Sequence, residues 1–228
     1  MLQIMYINLD SRPDRRKSIT QNLRDMGVPL VRTHRLTATD RAWYPTPVEM
    51  VRAAREMGFP EFEINLEQRV HLKYLGYMIS LFRALDWVAD QKNNVLVMED
   101  DYCLSEKYTD ITRSLRELES PINIAMLGWN KNAMSIRPCQ PLSYVSKWQI
   151  GTPSNGNQGN IYSPEGAAFI LEQCKNGLPS TPEVTIKELP LDTPRCYSRK
   201  RNHICIKSTR FSQESDVRNE EGEYFEKL

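Results

Sequence analysis

An apolar run, Val95-Leu96-Val97-Met98, ends abruptly in three carboxylates, Glu99-Asp100-Asp101. Adjacent acids at the exit of a buried strand repel one another and resist desolvation, so they are tolerable chiefly where solvent or a bound cation offsets their charge. On an extended segment, alternating side chains point Glu99 and Asp101 one way and Asp100 the other. Glu-x-Asp is then a two-carboxylate clamp. Its hard oxygens, with positions left for water and phosphate, suit Mg²⁺ or Mn²⁺ better than Zn²⁺, which would want more His and Cys. The plain alternative is a charged surface turn, and the tripeptide alone does not separate the two.

A second chemical signal lies at the N-terminus. Leu2-Gln3-Ile4-Met5-Tyr6-Ile7-Asn8-Leu9 reads as a buried strand, and Asp10-Ser11-Arg12-Pro13-Asp14-Arg15-Arg16 follows it. Asp10 or Ser11 can cap, and Pro13 can open, a helix that runs to about Met26 and stops at Gly27. Guanidinium forks and helix N-terminal amides at such a turn attract anions, although the same arginines also fit a solvated face. A third signal is the basic cluster Arg195, Arg199, Lys200, Arg201, His203, Lys207 and Arg210, interleaved with Tyr197. It suits a nucleic acid, a lipid diphosphate carrier or a leaving nucleotide diphosphate, or it is solvated surface.

Other schemes lack their residues. His34, His71 and His203 have no HExxH spacing, and neither GxSxG nor GxxxxGK[ST] occurs. The run Thr152 to Gly159 has two glycines without GxGxxG spacing, so it is no dinucleotide fingerprint; it reads as a loop over bound donor or as a simple hairpin connection. Two carboxylates could hydrolyse a glycosidic bond, but neighbours in one tripeptide do not flank a sugar on opposite faces.

The elements that must position these residues follow from periodicity. From Leu66 to Ala89, Leu72, Leu75, Ile79, Phe82, Leu85 and Val88 recur at spacings of three and four, giving an amphipathic helix that feeds the strand Val95 to Met98. Helix into continuous apolar strand is the parallel α/β pattern. Ser105 to Leu118 reads as a helix and Ile122 to Leu127 as a strand ending at Gly128-Trp129-Asn130. Ligands in open α/β sheets collect at the carboxyl ends of strands, so Asn8, Glu99, Asp101 and Trp129 should converge on one crevice. Trp129 is a stacking face for donor or acceptor, or a buried structural residue. Thr37 to Asn65 reads as an insertion: Trp43-Tyr44-Pro45-Thr46-Pro47 breaks regular structure, and Val48 to Met57 forms a short helix closed by Gly58. Its aromatic pair is a sugar platform or a packed lid. Lys131 to Asn157 reads as short strands and loops.

The 228 residues suit one domain. Thirty basic against twenty-nine acidic residues leave a formal charge of +1, which names no partner. Five cysteines without a CxxC pair argue against a disulfide framework and a zinc site and fit reduced thiols. No apolar stretch approaches the ~20 residues needed to span a bilayer, and a strand starting at residue 2 leaves no room for a signal peptide. A cytoplasmic protein is expected, with peripheral association at a membrane face left open.

The order of these segments resembles glycosyltransferase family 25, which includes lipopolysaccharide and collagen galactosyltransferases. The resemblance spans most of the chain: Tyr6 to Arg16, Met26-Gly27-Val28-Pro29, Leu75 to Leu85, Leu96 to Asp101, Gly159 to Ala168, Leu189-Pro190-Leu191-Asp192 and Gln213 to Arg218. It departs at Leu81, where relatives usually carry His after the Ser.

The resemblance implies a single α/β, GT-A-like, Rossmann-type domain with a mostly parallel central sheet flanked by helices, residues 1–130 being the nucleotide-sugar-binding part and 131–228 the acceptor-side part. It implies a metal-dependent transferase moving a hexose from a UDP-sugar donor to the hydroxyl of a glycan or other acceptor, with inversion. Asn8, Leu9, Arg12, Arg15 and Asp100 are then the donor-binding candidates, and Trp129 and Tyr162 the acceptor-binding ones. Glu99 and Asp101 hold Mn²⁺ or Mg²⁺, with His203 as a candidate third ligand. Inversion needs a general base, for which Asp192 is the candidate. Two other readings stay open: a glycosyltransferase acting on hydroxymethylated bases of DNA, with the base flipped into the cleft, and an inactive nucleic-acid-binding or scaffold relative.

Overall fold

The computed structural model describes residues 1–58, 69–118, 122–128, 140–141, 143, 145–151, 159–175, 196–199 and 204–206. The first strand, β1 (Gln3–Asn8), is buried along almost its whole length. Helix α1 (Pro13–Asp25) starts on Pro13, as expected, and ends before Gly27, whose φ of 78° a side chain would resist. Its N-cap is Arg12, without a side-chain cap, rather than Asp10 or Ser11. Strand β2 (Thr33–Thr37) follows. The insertion carries α2 (Pro47–Glu56), opened by a capping box in which Thr46 and Glu49 satisfy each other's backbone N–H groups, and closed by Gly58 at φ 87°.

Helix α3 (Arg69–Ala89) leads into β3 (Val95–Glu99), as its periodicity predicts. The chain turns at Asp100-Asp101 into β4 (Tyr102–Leu104) and then α4 (Tyr108–Ser114). The α4 helix is shorter than the sequence suggests. It begins where the Tyr108 N–H donates to the Met26 carbonyl at 2.9 Å and the Tyr108 hydroxyl donates to the Leu2 carbonyl at 2.6 Å. Its last turn tightens to a 3₁₀ turn at Leu115–Glu117. The remaining elements are β5 (Ile124–Met126), β6 (Gln140–Pro141), β7 (Trp148–Ile150), β8 (Asn160–Tyr162), α5 (Pro164–Lys175), β9 (Cys196–Arg199) and β10 (Ile204–Ile206).

Among the described residues, eight strands form one sheet in the order β2-β1-β3-β8-β5-β9-β7-β6, while β10 and β4 pair separately. The β2-β1-β3 portion is parallel. Beyond it the sheet is mixed, because β8 runs antiparallel to both β3 and β5, and β7 to β9. Helices cover both faces. Met5, Ile7, Val95 and Val97 pack with residues of α2, α3 and α5, whereas Ile4, Tyr6, Leu96 and Met98 pack with residues of α1 and α4. That alternation is the period-two pattern of strands buried on both sides. No helix among the described residues is long and apolar enough to cross a membrane.

Two positions show how closely the helices approach. A Cβ on Gly166 would lie 2.1 Å from the Asn123 carbonyl oxygen, so α5 meets the chain entering β5 through bare backbone. Ser163 caps that helix by accepting the Gly166 N–H at 2.9 Å. On α3, Leu81 is wholly buried and belongs to the α2–α3–α5 core. Position 81 is therefore a packing position here.

Candidate functional site

Strand order 2-1-3 places a topological switch between β1 and β3. The chain leaves β1 through α1 to reach β2 on one side, and returns through α2 and α3 to β3 on the other, with helices on opposite faces of the sheet. A crevice opens at the carboxyl ends of strands at such a point. Asn8 ends β1 and Glu99 ends β3 at this edge.

The junction is held by a buried polar network. Asn8, 1 % exposed, donates from Nδ2 to Asp100 Oδ2 at 2.6 Å and to the Arg12 carbonyl at 3.1 Å, and its Oδ1 accepts from Arg35 Nε at 3.0 Å. One amide thus ties the β1–α1 loop, the β3–β4 turn and β2 together. Arg15, on the first turn of α1, reaches Asp100 Oδ1 at 3.3 Å, with both side chains at most 10 % exposed. Burial raises the Asp100 pKa above its ordinary value, while the Asn8 hydrogen bond and the Arg15 charge oppose that rise. Asn8, Arg15 and Asp100 therefore stand behind the edge as its support, not on it as an exposed contact surface for a donor.

Arg12 lies nearer solvent. Its guanidinium donates to both carboxylate oxygens of Asp14, at 3.1 and 2.9 Å, and Asp14 is half-exposed. The Arg12 hydrogen bond is the main reason the Asp14 carboxyl is held at about 2, and backbone N–H groups at the start of α1 assist. The helix's own aspartate thus occupies amides that the sequence reading offers to a phosphate. Arg35, which that reading passes over, pairs with the exposed Asp10 as well as with Asn8. The only signal that could have found it is an arginine alternating along the short strand β2. Leu9 is half-buried against the α3 face of the core, and its carbonyl accepts the Arg12 N–H at 3.1 Å.

The acidic motif is arranged differently from the strand-alternation reading. Extended backbone ends at Glu99, and Asp100-Asp101 form a turn, so strict alternation cannot be carried through to Asp101. Glu99 and Asp101 are each half-buried. Among the described residues no group of three or more His, Cys, Asp or Glu side chains could hold a metal by itself. A two-carboxylate set still fits Mg²⁺ or Mn²⁺, which is commonly held by one or two carboxylates plus substrate phosphates. His203, Asp192 and Trp129, and the loop 152–158, lie outside the described residues.

Tyr162 is corrected. It is wholly buried in the core, opposite Val95, and its hydroxyl accepts from Asn160 Nδ2 at 3.0 Å. Four residues of strand, roughly 13 Å, separate that register position from Glu99. An acceptor at the carboxyl edge has no access to it. A polar depression of about 270 Å³ lined by Gln91, Lys92, Asn94 and Glu165, among others, likewise lies at the amino end of β3, away from the acidic turn.

The edge next to β2 is fixed by α3. The Ser80 hydroxyl accepts the Thr39 N–H and donates to the Gly76 carbonyl, both at 2.7 Å. Gly76 permits the contact, since a Cβ there would sit 2.9 Å from the Thr39 carbonyl oxygen. Arg83 donates to the Thr37 carbonyl at 3.1 Å and to Thr39 Oγ1 at 3.3 Å, with its guanidinium 5.9 Å from the ring centre of Trp43. Trp43 is 48 % exposed. The aromatic of the insertion therefore does stand at this edge, two strands from the acidic turn.

No protein-family model and no curated protein matches the chain. Among solved structures it is similar to the apo form of the glycosyltransferase GlyE of Streptococcus pneumoniae TIGR4, at 11 % identity and a TM-score of 0.40 over 86 % of this chain. It is also similar to apo mouse xyloside xylosyltransferase 1, at 7 % identity and TM-score 0.38 over 82 %. The galactosyltransferase LgtC in complex with donor and acceptor sugar analogues gives 14 % identity and TM-score 0.40, again over 82 %. The chain spans 44 % of the GlyE chain, 68 % of the mouse enzyme and 69 % of LgtC. Superpositions this loose assign no activity, and the resemblance to glycosyltransferase family 25 rests on the order of its motifs.

Proposed function

We propose that the carboxyl edge at the β1–β3 switch is a nucleotide-sugar site, and that the protein transfers a hexose from a UDP-sugar to an acceptor hydroxyl with inversion. The observation that carries this reading is the bracing of the acidic triplet. Asp100, its side chain 10 % exposed, is bound to Asn8 and Arg15, so the network holds the turn that carries Asp101 directly after Glu99 at the end of β3. A braced pair of hard-oxygen ligands beside a switch point suits a divalent cation that bridges a diphosphate.

Mn²⁺ or Mg²⁺ held by Glu99 and Asp101 would offset the charge that develops on the departing diphosphate. Among the described residues, Arg12 and Arg35 are cations able to help. Their carboxylate partners Asp14 and Asp10 are exposed, and surface pairs of that kind are worth only about 0–1 kcal/mol, so exchanging those carboxylates for a phosphate oxygen costs little while Arg35 keeps its bond to Asn8. The backbone of β9 also ends at this edge, with Arg199. Asp192 remains the proposed general base, and Trp43 and Trp129 the proposed stacking surfaces for a sugar or base.

Incubation with a panel of nucleotide sugars, with and without Mn²⁺, tests the reaction class by slow donor hydrolysis. Metal-dependent release of UDP from one donor is expected. Absence of hydrolysis and of binding for every donor would remove the assignment and leave a scaffold role.

A further inference from the structure

The register of the small ribbon places two cysteines directly across from each other: Cys103 on β4 is the partner of Cys205 on β10. The hydrogen bonding of β4 fixes which kind of pair this is. On the side away from β10, the Asn22 side chain takes both backbone groups of Leu104. Its Oδ1 accepts the Leu104 N–H at 2.8 Å, and its Nδ2 donates to the Leu104 carbonyl at 3.1 Å. Leu104 and its partner Ile204 are therefore a non-hydrogen-bonded pair. By alternation Cys103 and Cys205 are the hydrogen-bonded one, with a Cα separation near 5.5 Å. That lies inside the range of roughly 4.4–6.8 Å found for disulfides, whereas the Cβ spacing usual for such pairs is longer than a relaxed disulfide prefers.

We infer that Cys103 and Cys205 form a reversible, redox-sensitive disulfide that fastens β10 to the strand leaving the acidic turn. Cys103 is a buried thiol in the structure. The two residues are register partners at the middle of a ribbon three residues long, and two strands of that length are marginal by themselves, so local opening admits a small oxidant. A low-molecular-weight disulfide is the co-reactant. One cysteine thiolate attacks it, giving a mixed disulfide and releasing one small thiol. The second cysteine, losing its proton, then attacks the protein sulfur and releases the other small thiol. Two cysteines have lost two protons and two electrons, and the small disulfide has become two thiols. The spacing argues for a labile bond, since strained disulfides are the more easily reduced. One such bond differs from the stabilising framework that five cysteines without a CxxC pair exclude. Its consequence is positional: Cys103 is two residues beyond Asp101, so oxidation restrains the turn that carries the carboxylates. The inference does not depend on the proposed activity.

The full chain is equilibrated in glutathione buffers from fully reduced to fully oxidised, alkylated, and mapped by peptide mass spectrometry. The expected result is a Cys103–Cys205 cross-link in oxidised buffer, lost on adding dithiothreitol. With it should come a rise in Tm of about 10 °C from closing a loop of roughly 100 residues, and at least tenfold slower amide exchange across 100–104. Cys205→Ser should abolish all three effects, whereas Cys139→Ser should leave them intact. Complete alkylation of both thiols in oxidised buffer, or cross-links to Cys139, Cys174 or Cys196 instead, would overturn the inference.

Discussion

Replacing Arg15 by Met should expose how the acidic turn is held. The substitution keeps most of the side-chain volume but removes the guanidinium 3.3 Å from Asp100, leaving a buried carboxylate with Asn8 as its remaining hydrogen-bond partner in the network described above. Breaking a buried pair from one side typically costs 3–5 kcal/mol. The cost has a ceiling, because Asp100 can take up a proton instead. Against its ordinary value of 3.8, doing so at pH 7 costs about 4 kcal/mol at roughly 1.4 kcal/mol per pH unit. Part of that burial cost is already present in the native chain, where Asp100 is raised, so a loss of about 2–4 kcal/mol is expected at pH 7. A raised carboxyl favours folding below its unfolded value and loses that contribution as pH rises through the folded value. The penalty must therefore shrink on acidification, to below about 1 kcal/mol at pH 4, where protonating a carboxyl of ordinary value 3.8 costs only a few tenths of a kcal/mol, at roughly 1.4 kcal/mol per pH unit. Urea unfolding of both proteins at the two pH values measures this. An equal penalty at pH 4 and pH 7, or less than about 0.5 kcal/mol at pH 7, would refute the claim that Arg15 serves chiefly to neutralise Asp100.

Arg12→Ala should return the Asp14 carboxyl from about 2 toward its ordinary 3.8, read by NMR titration of that carboxyl. Because the native value is depressed, the associated stability is present above pH 3.8 and disappears as pH falls through 2, and the variant should lack that acid-limb dependence. Leu81→His should lower stability by about 2–4 kcal/mol through a cavity and a buried imidazole, without raising any transfer activity. A gain in activity would place position 81 in the site rather than in the core. Asp192→Asn should reduce transfer to acceptor by at least about a hundredfold while donor affinity changes little. Loss of both together would mean that Asp192 holds metal or donor.

Periodicity made the first half of the molecule legible. Residues recurring at three and four along α3, followed by a continuous apolar strand, leave one arrangement, and β1, β2 and β3 are parallel as that pattern requires. The antiparallel β8 was not legible as such. Asn160-Ile161-Tyr162 is too short for a period to develop, and only long-range pairing with Val95 to Val97 and Ile124 to Met126 defines it. The same blindness put Tyr162 at the acceptor side, since its burial comes from strands distant in sequence. In the acidic motif, the residue types were correctly singled out, but alternation presumes extended backbone and the chain turns after Glu99. Asn8 and Arg35 illustrate a further limit. Their roles come from hydrogen bonds that join a loop, a turn and a neighbouring strand, and no spacing in one segment encodes that convergence.

Calorimetric titration with UDP, in the presence and absence of Mn²⁺, on the native chain and on Asp101→Asn is the most direct test of the nucleotide-sugar site. The account predicts UDP binding by the native protein that requires Mn²⁺, and loss of that metal-dependent binding in a variant whose unfolding midpoint is unchanged. Native binding that ignores the metal, or an Asp101→Asn variant that binds UDP and Mn²⁺ as the native chain does, would contradict it.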